Sequence, residues 1–336
     1  MKFKRTFFVY FLTIICLSGC TERKPTQFKD TDTYILVDEW PKLPPELVLG
    51  NPTGLGIDSE NNIVIFHRAG RVWKEPMPED KIQENTILTI DKQTGEVRRN
   101  WGANLFVMPH GLEIDKEDNI WVTDVALHQV FKFSPEGNLL MTLGVARIAG
   151  NDDRHFNLPT DIAVADDGSF YVSDGYGNSR VVKFSKDGTY LFEWGTFGDG
   201  HSEFKTPHGI DLDKHGNVYV ADRENNRIQK FDAQGNFLAL WQNKRSDQLY
   251  SVAIDHENSH LFAIDYMTSL FGLIVNGSDI FRFDTDFEPQ IQFGRTGHYD
   301  GPKSRYHDVL VDDEGSIYVG DILNNKVQKF RLDKGN

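Results

Sequence analysis

The chain has 336 residues, and its 50 acidic and 36 basic side chains give a formal net charge of −14. Such a surface repels phosphate backbones, which excludes nucleic acid as an expected partner. The two cysteines, Cys16 and Cys20, both lie near the N-terminus, so a disulfide within the rest of the chain is excluded as well.

The first 19 residues have the pattern of an export signal. A basic stretch, MKFKR, precedes an apolar run, TFFVYFLTIIC, that is too short to span a bilayer as a permanent helix. The run ends in LSGC at 17–20, which resembles the bacterial lipoprotein cleavage box. We therefore predict a signal peptide over residues 1–19 and a lipid anchor at Cys20, which holds the exported protein on a bacterial membrane, at its periplasmic or cell-surface face. An ordinary signal peptide with an incidental cysteine is the alternative.

The segment that follows, residues 20–31, is polar and shows no apolar periodicity. We predict that it is a flexible tether between the lipid and the folded part of the chain. Residues 32–333 are long enough to bury the core of one large domain.

Six copies of one sequence unit occupy this domain. Each copy has an alternating segment such as Gly209–Asp213, an Asn/Asp/Gly turn, and a second strand such as Val218–Asp222. Period-two alternation with such turns indicates short antiparallel strands, four to a unit. Equivalent positions recur every 42 to 57 residues. The sequence therefore predicts an all-β fold, a six-bladed β-propeller.

The last unit has only three strands before the chain ends, the third at 326–330. Near the N-terminus, residues 33–40 look like a strand without a blade of its own. We expect this N-terminal strand to complete the last blade, because the pairing closes the ring and removes an exposed sheet edge.

One position of the repeat alternates between histidine and other residues. In chain order it holds Thr53, His110, Thr160, His208, Tyr250 and His307. The innermost strands of a propeller line its central channel, so the three histidines of alternate blades should converge on the axis. Three neutral imidazoles suit zinc and leave a coordination position open for water or substrate. We predict a zinc site, although any one of these histidines could instead be a hydrogen-bonded core residue.

Several longer stretches point to a family. They are VIFHR at 64–68, MPHGL at 108–112, WVTDVALHQVF at 121–131, PTD at 159–161, VSDGYGNSR at 172–180 and ADREN at 221–225. Together they resemble the peptidyl-α-hydroxyglycine α-amidating lyases, which are related to NHL-repeat propellers. The resemblance covers about residues 33–330. It implies an enzyme that cleaves a carbinolamide, peptidyl-α-hydroxyglycine, to an amide and glyoxylate.

The resemblance also implies roles for single residues. His110, His208 and His307 would bind zinc, with Tyr176 and Arg68 facing it as the catalytic pair. Without the family, Tyr176 is a loop tyrosine and Arg68 a surface arginine.

A second metal follows from the same resemblance. A structural calcium would be held by the carboxylate of Asp308 and the backbone carbonyls of Leu55 and Leu112. Without the family, Asp308 is equally well a turn residue or a residue that supports the metal ligands from behind.

The chain departs from the family pattern at two places. Asn157 and Gly177 stand where the animal members have one of their disulfides. The Met-Pro that precedes the third histidine of the animal enzymes is Arg305-Tyr306 here, which alters the pocket wall and leaves the exact substrate open.

Two other classes of function stay open. One is a non-catalytic NHL-type binding module at the cell surface, in which the histidines bind metal only structurally. The other is a metal-dependent hydrolase like the gluconolactonases, which also have six blades. Their sites bind calcium with carboxylate and Asn ligands, so the three histidines argue against this class. We expect the protein to be a monomer with a small-molecule or peptide α-hydroxyglycine as substrate.

Overall fold

The computed structural model describes residues 34–244, 248–270, 273–294 and 302–333. The predicted signal peptide and tether lie outside these ranges. Within them the chain forms 27 β-strands and a single 3-10 turn, Arg223–Asn225. No helix in the described ranges is long and apolar enough to cross a membrane.

The strands of the described residues build seven sheets, and the six with four or five strands are the blades of the predicted propeller. A short first strand is β1 (Tyr34–Leu36). Blade 1 contains β2 (Pro52–Ile57), β3 (Asn62–His67), β4 (Ile87–Asp91) and β5 (Val97–Trp101). Blade 2 contains β6 (Pro109–Ile114), β7 (Ile120–Asp124), β8 (Gln129–Phe133) and β9 (Leu139–Leu143). Blade 3 contains β10 (Asp161–Val164), β11 (Phe170–Asp174), β12 (Arg180–Phe184) and β13 (Tyr190–Trp194).

A two-stranded parallel pair, β14 (Thr196–Phe197) and β15 (Glu203–Phe204), connects the two halves of the ring. Blade 4 contains β16 (Pro207–Leu212), β17 (Val218–Asp222), β18 (Arg227–Phe231) and β19 (Phe237–Gln242). Blade 5 contains β20 (Gln248–Asp255), β21 (His260–Ser269), β22 (Ile274–Gly277), β23 (Asp279–Asp284) and β24 (Pro289–Gly294). Blade 6 contains β25 (Tyr306–Val311), β26 (Ile317–Asp321) and β27 (Lys326–Leu332), with β1 as its fourth strand.

Ring closure by the N-terminal strand is confirmed. Strand β1 pairs antiparallel with β27, with Tyr34 opposite Leu332 and Leu36 opposite Phe330. The strand is shorter than the predicted 33–40, because the chain turns after Val37 and Glu39 takes a φ of 55°. The pairing covers the edge of the last blade within the described residues.

Burial falls from the axis to the rim of each blade. The second strand is buried along its whole length, as in β17, because neighbouring blades cover both of its faces. The outermost strand alternates between partly buried and exposed residues, as in β13. The innermost strands contact one another around the ring, which brings equivalent repeat positions to the axis.

Two glycines allow this close approach. Gly111 and Gly209 directly follow the first two axial histidines. A β-carbon at Gly111 would lie 2.7 Å from the carbonyl oxygen of Thr160, and one at Gly209 would lie 2.6 Å from Cα of Ser251. Because no larger residue fits between these strands, the His-Gly pairs position the imidazoles on the axis.

Candidate metal centre

The three histidines meet at the centre of the ring. His110 lies on β6, His208 on β16 and His307 on β25, and their exposed fractions are 1%, 2% and 3%. Their ring centroids are 4.5 to 4.9 Å apart, and each offers a ligand atom within 4.8 Å of the other two. This arrangement matches the predicted convergence and suits one metal ion.

Each imidazole is oriented by the blade that follows its own. Nδ1 donates to a backbone carbonyl oxygen in all three cases: His110 to Thr160 at 2.7 Å, His208 to Tyr250 at 2.7 Å and His307 to Thr53 at 2.9 Å. These acceptors are the non-histidine residues of the same repeat position. Since a carbonyl can only accept, Nδ1 carries the proton, and Nε2 keeps a lone pair that can bind a metal.

The surroundings keep these imidazoles neutral. Burial lowers the pKa of each histidine well below its ordinary value, and nearby positive charges, such as Arg68 beside His110, lower it further. Neutral imidazole is the form that binds metal. Three such nitrogen donors on one axis fit zinc.

Tyr176 reaches over this ring from blade 3. It follows β11 after Gly175, where a β-carbon would lie 2.9 Å from the carbonyl carbon of Pro207. Its hydroxyl lies 2.9 Å from Nε2 of His208 and 3.1 Å from Nε2 of His110. The phenol oxygen therefore stands where it would face the open side of a metal bound by the three histidines.

Arg68 lies in the same pocket, but among the described residues it makes no hydrogen bond to Tyr176. Its Nε donates to the carbonyl oxygen of Pro109 at 3.0 Å, and its buried Nη2 has no hydrogen-bond partner among the described residues. Burial lowers the pKa of Arg68 to about 10, which leaves it cationic at neutral pH. A buried guanidinium nitrogen without a partner suits an anionic ligand.

A second arginine, Arg223, contacts the tyrosine directly, although the sequence pattern assigned it no role. Its Nη1 donates to the Tyr176 hydroxyl at 3.1 Å, and its guanidinium lies 5.0 Å from the centroid of the tyrosine ring. Glu224 pairs with it at 2.9 Å. Burial raises the pKa of Tyr176 above its ordinary value, and the positive charge of Arg223 opposes that rise.

A signal for Arg223 does exist in the repeat. It directly follows the last residue of the second strand in blade 4, and Arg68 occupies the equivalent position in blade 1. The same position holds Val125, Gly175 and Ile322 in three other blades. Since three blades fold with a small or apolar residue at this position, the fold itself does not require an arginine there.

The pocket above the histidines is concave and cationic. It is a cavity of about 480 Å³ with three arginines in its wall, Arg68, Arg223 and Arg305. Trp73 packs on Tyr176 with ring centroids 4.9 Å apart. In a chain of net charge −14, this concentration of guanidinium groups favours an anionic ligand, and a carboxylate above all.

The other end of the channel is acidic. A cavity of about 240 Å³ is lined by Asp308, Leu55 and Leu112, together with Glu113, Asp161 and Asp211. Asp308 accepts hydrogen bonds from the backbone N–H of Leu55 and from Oγ of Ser251, both at 2.7 Å. Leu55 thus contacts Asp308 through its backbone N–H group.

The described residues that line this cavity include four carboxylates and one histidine, His256, but no lysine or arginine. Burial raises the pKa of Asp308 to about 7, and burial with neighbouring carboxylates raises that of Glu113 and Asp161 well above its ordinary range. A hard divalent cation with oxygen ligands would relieve this repulsion, so the residues fit the calcium that the family resemblance implies.

Comparison with known proteins gives matches along most of the chain. A family model for the NHL repeat matches residues 156–184 and 204–231. Peptidyl-alpha-hydroxyglycine alpha-amidating lyase 2 of Drosophila melanogaster is 34% identical over 332 residues, covering 92% of this chain and 78% of the relative. A probable lyase of the same name from Caenorhabditis elegans is 33% identical, covering 86% of this chain and 84% of the relative.

Longer relatives match as well. The mouse peptidyl-glycine alpha-amidating monooxygenase is 38% identical over 88% of this chain, but the chain spans only 31% of that protein's length. Among solved structures, a streptogramin B lyase aligns with a TM-score of 0.59 at 14% identity, covering 90% of this chain and 98% of the other. A gluconolactonase from Xanthomonas campestris aligns with a TM-score of 0.59 at 13% identity, covering 92% and 98%. At such low identity, these two structures support the propeller fold alone.

Proposed function

The chain belongs to the peptidyl-α-hydroxyglycine α-amidating lyase family, and on that premise we propose that it is a zinc-dependent lyase. Its substrates would be peptidyl-α-hydroxyglycines, which it would cleave to an amide and glyoxylate. One observation carries the proposal: three neutral imidazoles converge on the axis, and the Tyr176 hydroxyl lies 2.9 to 3.1 Å from two of them.

The reaction needs one proton to move within the substrate. In an α-hydroxyglycine, N–CH(OH)–COO⁻, the carbon–nitrogen bond breaks while the hydroxyl loses a proton and the nitrogen gains one. The products are the amide and glyoxylate, and no oxidant, reductant or water is consumed. Zinc held by His110, His208 and His307 would supply Lewis-acid polarisation of a substrate oxygen.

Tyr176 is the candidate for this proton transfer. Its phenolate oxygen can take the hydroxyl proton, and the resulting phenol can return it to the departing nitrogen. The hydrogen bond and positive charge of Arg223 stabilise the phenolate against the effect of burial. Arg223 thus supports the role that the family resemblance ascribes to Tyr176.

Arg68 is better placed to hold the substrate carboxylate than to activate the tyrosine. Its buried Nη2 lacks a partner among the described residues, whereas Tyr176 already accepts from Arg223. A carboxylate would complete the hydrogen bonding of this guanidinium.

We also propose that Asp308, with Leu55 and Leu112, holds a structural calcium at the acidic end of the channel. This rests on the carboxylates that line that cavity. Calcium there would act on stability, because the cavity lies at the other end of the channel from the arginines.

The exported, lipid-anchored state and the monomeric state are proposals from the sequence. Mass spectrometry of the mature N-terminus would show acyl chains on Cys20, and an unmodified residue there would contradict the anchor. Stable anchoring needs more than one acyl chain. Size-exclusion chromatography of the Cys20→Ser protein tests the monomer.

The lyase proposal is tested by glyoxylate release from α-hydroxyhippurate. We expect equimolar glyoxylate and benzamide from the zinc-loaded protein. Zinc-loaded protein that binds carbinolamides or other ligands without releasing glyoxylate would instead support a binding module.

A further inference from the structure

The pocket contains a third cation, Arg305, that the reaction described above does not use. Arg305 lies two residues before His307 on the segment that enters β25. Its Nε donates to the hydroxyl oxygen of Tyr250 at 3.2 Å, and its Nη2 donates to the same oxygen. Its guanidinium lies 4.7 Å from the ring centroid of Tyr266 and 5.4 Å from that of Tyr250. Two aromatic rings therefore hold the group in place.

This guanidinium has no ion pair with a carboxylate among the described residues. The contrast is with Arg223, whose charge is paired with Glu224 at 2.9 Å. Arg305 also acts on the rest of the pocket, since its positive charge contributes to lowering the pKa of Arg68. Placing it there costs stability through repulsion between like charges, and an anionic ligand would offset that cost.

The position of Arg305 relative to the histidines is set by Tyr250. The Tyr250 ring lies 5.0 Å from the His208 ring, and Arg305 lies 5.4 Å from the centroid of the same tyrosine. Arg305 is therefore one aromatic side chain away from the metal centre, in the wall of the same cavity. A ligand group that reaches it would belong to the part of the substrate that extends beyond the reacting carbon.

We propose that Arg305 binds a second anionic group, so that this protein prefers carbinolamides whose acyl part carries a carboxylate. The inference rests on the proposed function, in which Arg68 takes the carboxylate of the hydroxyglycine itself. A guanidinium presents two parallel donors to a carboxylate, and one already fixed by aromatic rings loses little freedom on binding. Arg305 is then a specificity residue, and its contribution should appear as a difference between ligands that differ only in that charge.

Two ligands that cannot react allow the effect of the second carboxylate on binding to be measured by itself. N-succinylglycine carries a carboxylate on its acyl part, and N-succinamoylglycine carries a neutral amide of nearly the same shape. Calorimetry should show that the zinc-loaded protein binds the succinyl compound at least about tenfold more tightly, the scale of one partly solvated charge pair. In Arg305→Met the ratio should fall to about twofold or less, while Arg305→Lys should keep part of it.

The matched control is Lys303→Met. Lys303 is exposed and lies on the same segment, outside the wall of the pocket. Its loss changes the net charge by the same amount, so the ligand ratio should stay at the wild-type value.

Equal affinities for the two ligands in the wild-type protein would overturn the proposal, and so would a ratio that survives in Arg305→Met. Glyoxylate release from α-hydroxyhippurate, measured on the same preparation, separates the two claims. If glyoxylate is released but the two ligands bind with equal affinity, the role proposed for Arg305 is wrong and the lyase proposal is unaffected. A charge preference without any glyoxylate from α-hydroxyhippurate or succinyl-α-hydroxyglycine overturns both the lyase and the substrate class named here.

Discussion

The two ends of the central channel are built on the same six inner strands, yet their chemistry is opposite. At one end the strands present three neutral imidazoles beneath a wall of arginines. At the other end, one to three residues further along the same strands, they present the carboxylates of Glu113, Asp161, Asp211 and Asp308. The histidine end thus suits a transition metal and an anion, and the acidic end suits a hard cation, although the two sets of side chains are only one to three residues apart in sequence.

The comparison shows that the position of a residue along the inner strand decides whether it faces the substrate-sized cavity or the acidic cavity. The histidine end has a cavity large enough for a substrate, a tyrosine over the three imidazoles, and an Arg68 nitrogen without a hydrogen-bond partner among the described residues. The acidic end has carboxylates that bond to the backbone and side chains of the inner strands. Changes at the first end should therefore alter turnover, and changes at the second should alter stability.

The largest effect should come from the imidazoles. His208→Ala should lose most of its zinc and lower kcat/KM by at least about 10³-fold, because the metal and its polarisation of the substrate are lost together. Elemental analysis and the glyoxylate assay check this. His201→Ala is the matched control, since His201 is exposed and stacks on Phe237 at the rim. Zinc retained at full occupancy in His208→Ala would contradict the axial site.

Removal of the tyrosine hydroxyl should have the next largest effect. Tyr176→Phe should keep its zinc and lose roughly 10²-fold in kcat, the usual scale for a general base. Tyr190→Phe, on the outer strand of the same blade, should behave like the wild type. If Tyr176→Phe keeps full activity on α-hydroxyhippurate, another group takes the proton.

Substitutions of the two arginines Arg68 and Arg223, which line the same cavity, should change different kinetic constants. Arg68→Ala should raise KM about tenfold with little change in kcat, because it removes a contact with the substrate carboxylate. Arg223→Met should lower kcat by about tenfold, because it removes a hydrogen bond and a charge that favour the phenolate. Steady-state kinetics separate the two patterns, and a fall in kcat alone for Arg68→Ala would assign it to the tyrosine instead.

The smallest effect on turnover is expected at the acidic end, where calcium should act on stability. The carboxyl pKa of Asp308 is raised to about 7, so the folded protein binds more protons there than the unfolded chain. Without calcium, stability should therefore fall as the pH rises from about 4, the unfolded carboxyl value, through about 7. Calcium removes this penalty, so the Tm gain from calcium should grow by roughly 2–4 °C between about pH 5 and about pH 8.

Asp308→Asn sharpens this prediction. It should reduce both the calcium gain and its dependence on pH while zinc content stays unchanged. A calcium effect of equal size at both pH values would show that these carboxylates do not hold the ion.

Much of the fold was predictable because it repeats. The acids that end the second strands accept backbone N–H groups from the loops before them: Asp124 from Val107, Asp174 from Asn157 and Asp321 from Arg305. Because the same hydrogen bond is made in several blades, the same residue type recurs at that position of the sequence. Aligning the repeat units therefore reveals the strands and the blades. The histidines follow from the same stacking, since alternate blades share a position.

The contacts between side chains in the pocket were less predictable. Arg68 and Arg223 occupy equivalent positions, yet only Arg223 reaches the tyrosine, while Arg68 turns to the carbonyl of Pro109. That difference depends on how loops from separate blades pack together, which no local pattern records. The family resemblance named Tyr176 and Arg68 as a pair, but it is Arg223 that donates a hydrogen bond to the tyrosine.

The most direct test of the central claim is a zinc titration. Protein stripped of metal with a chelator, held in calcium, should recover glyoxylate release from α-hydroxyhippurate in proportion to added zinc and reach its maximum at about one zinc per chain. Calcium alone should restore none of it. Glyoxylate release at full rate before zinc is added, or one bound zinc per chain with no glyoxylate, would contradict the assignment of catalysis to the histidine end of the channel.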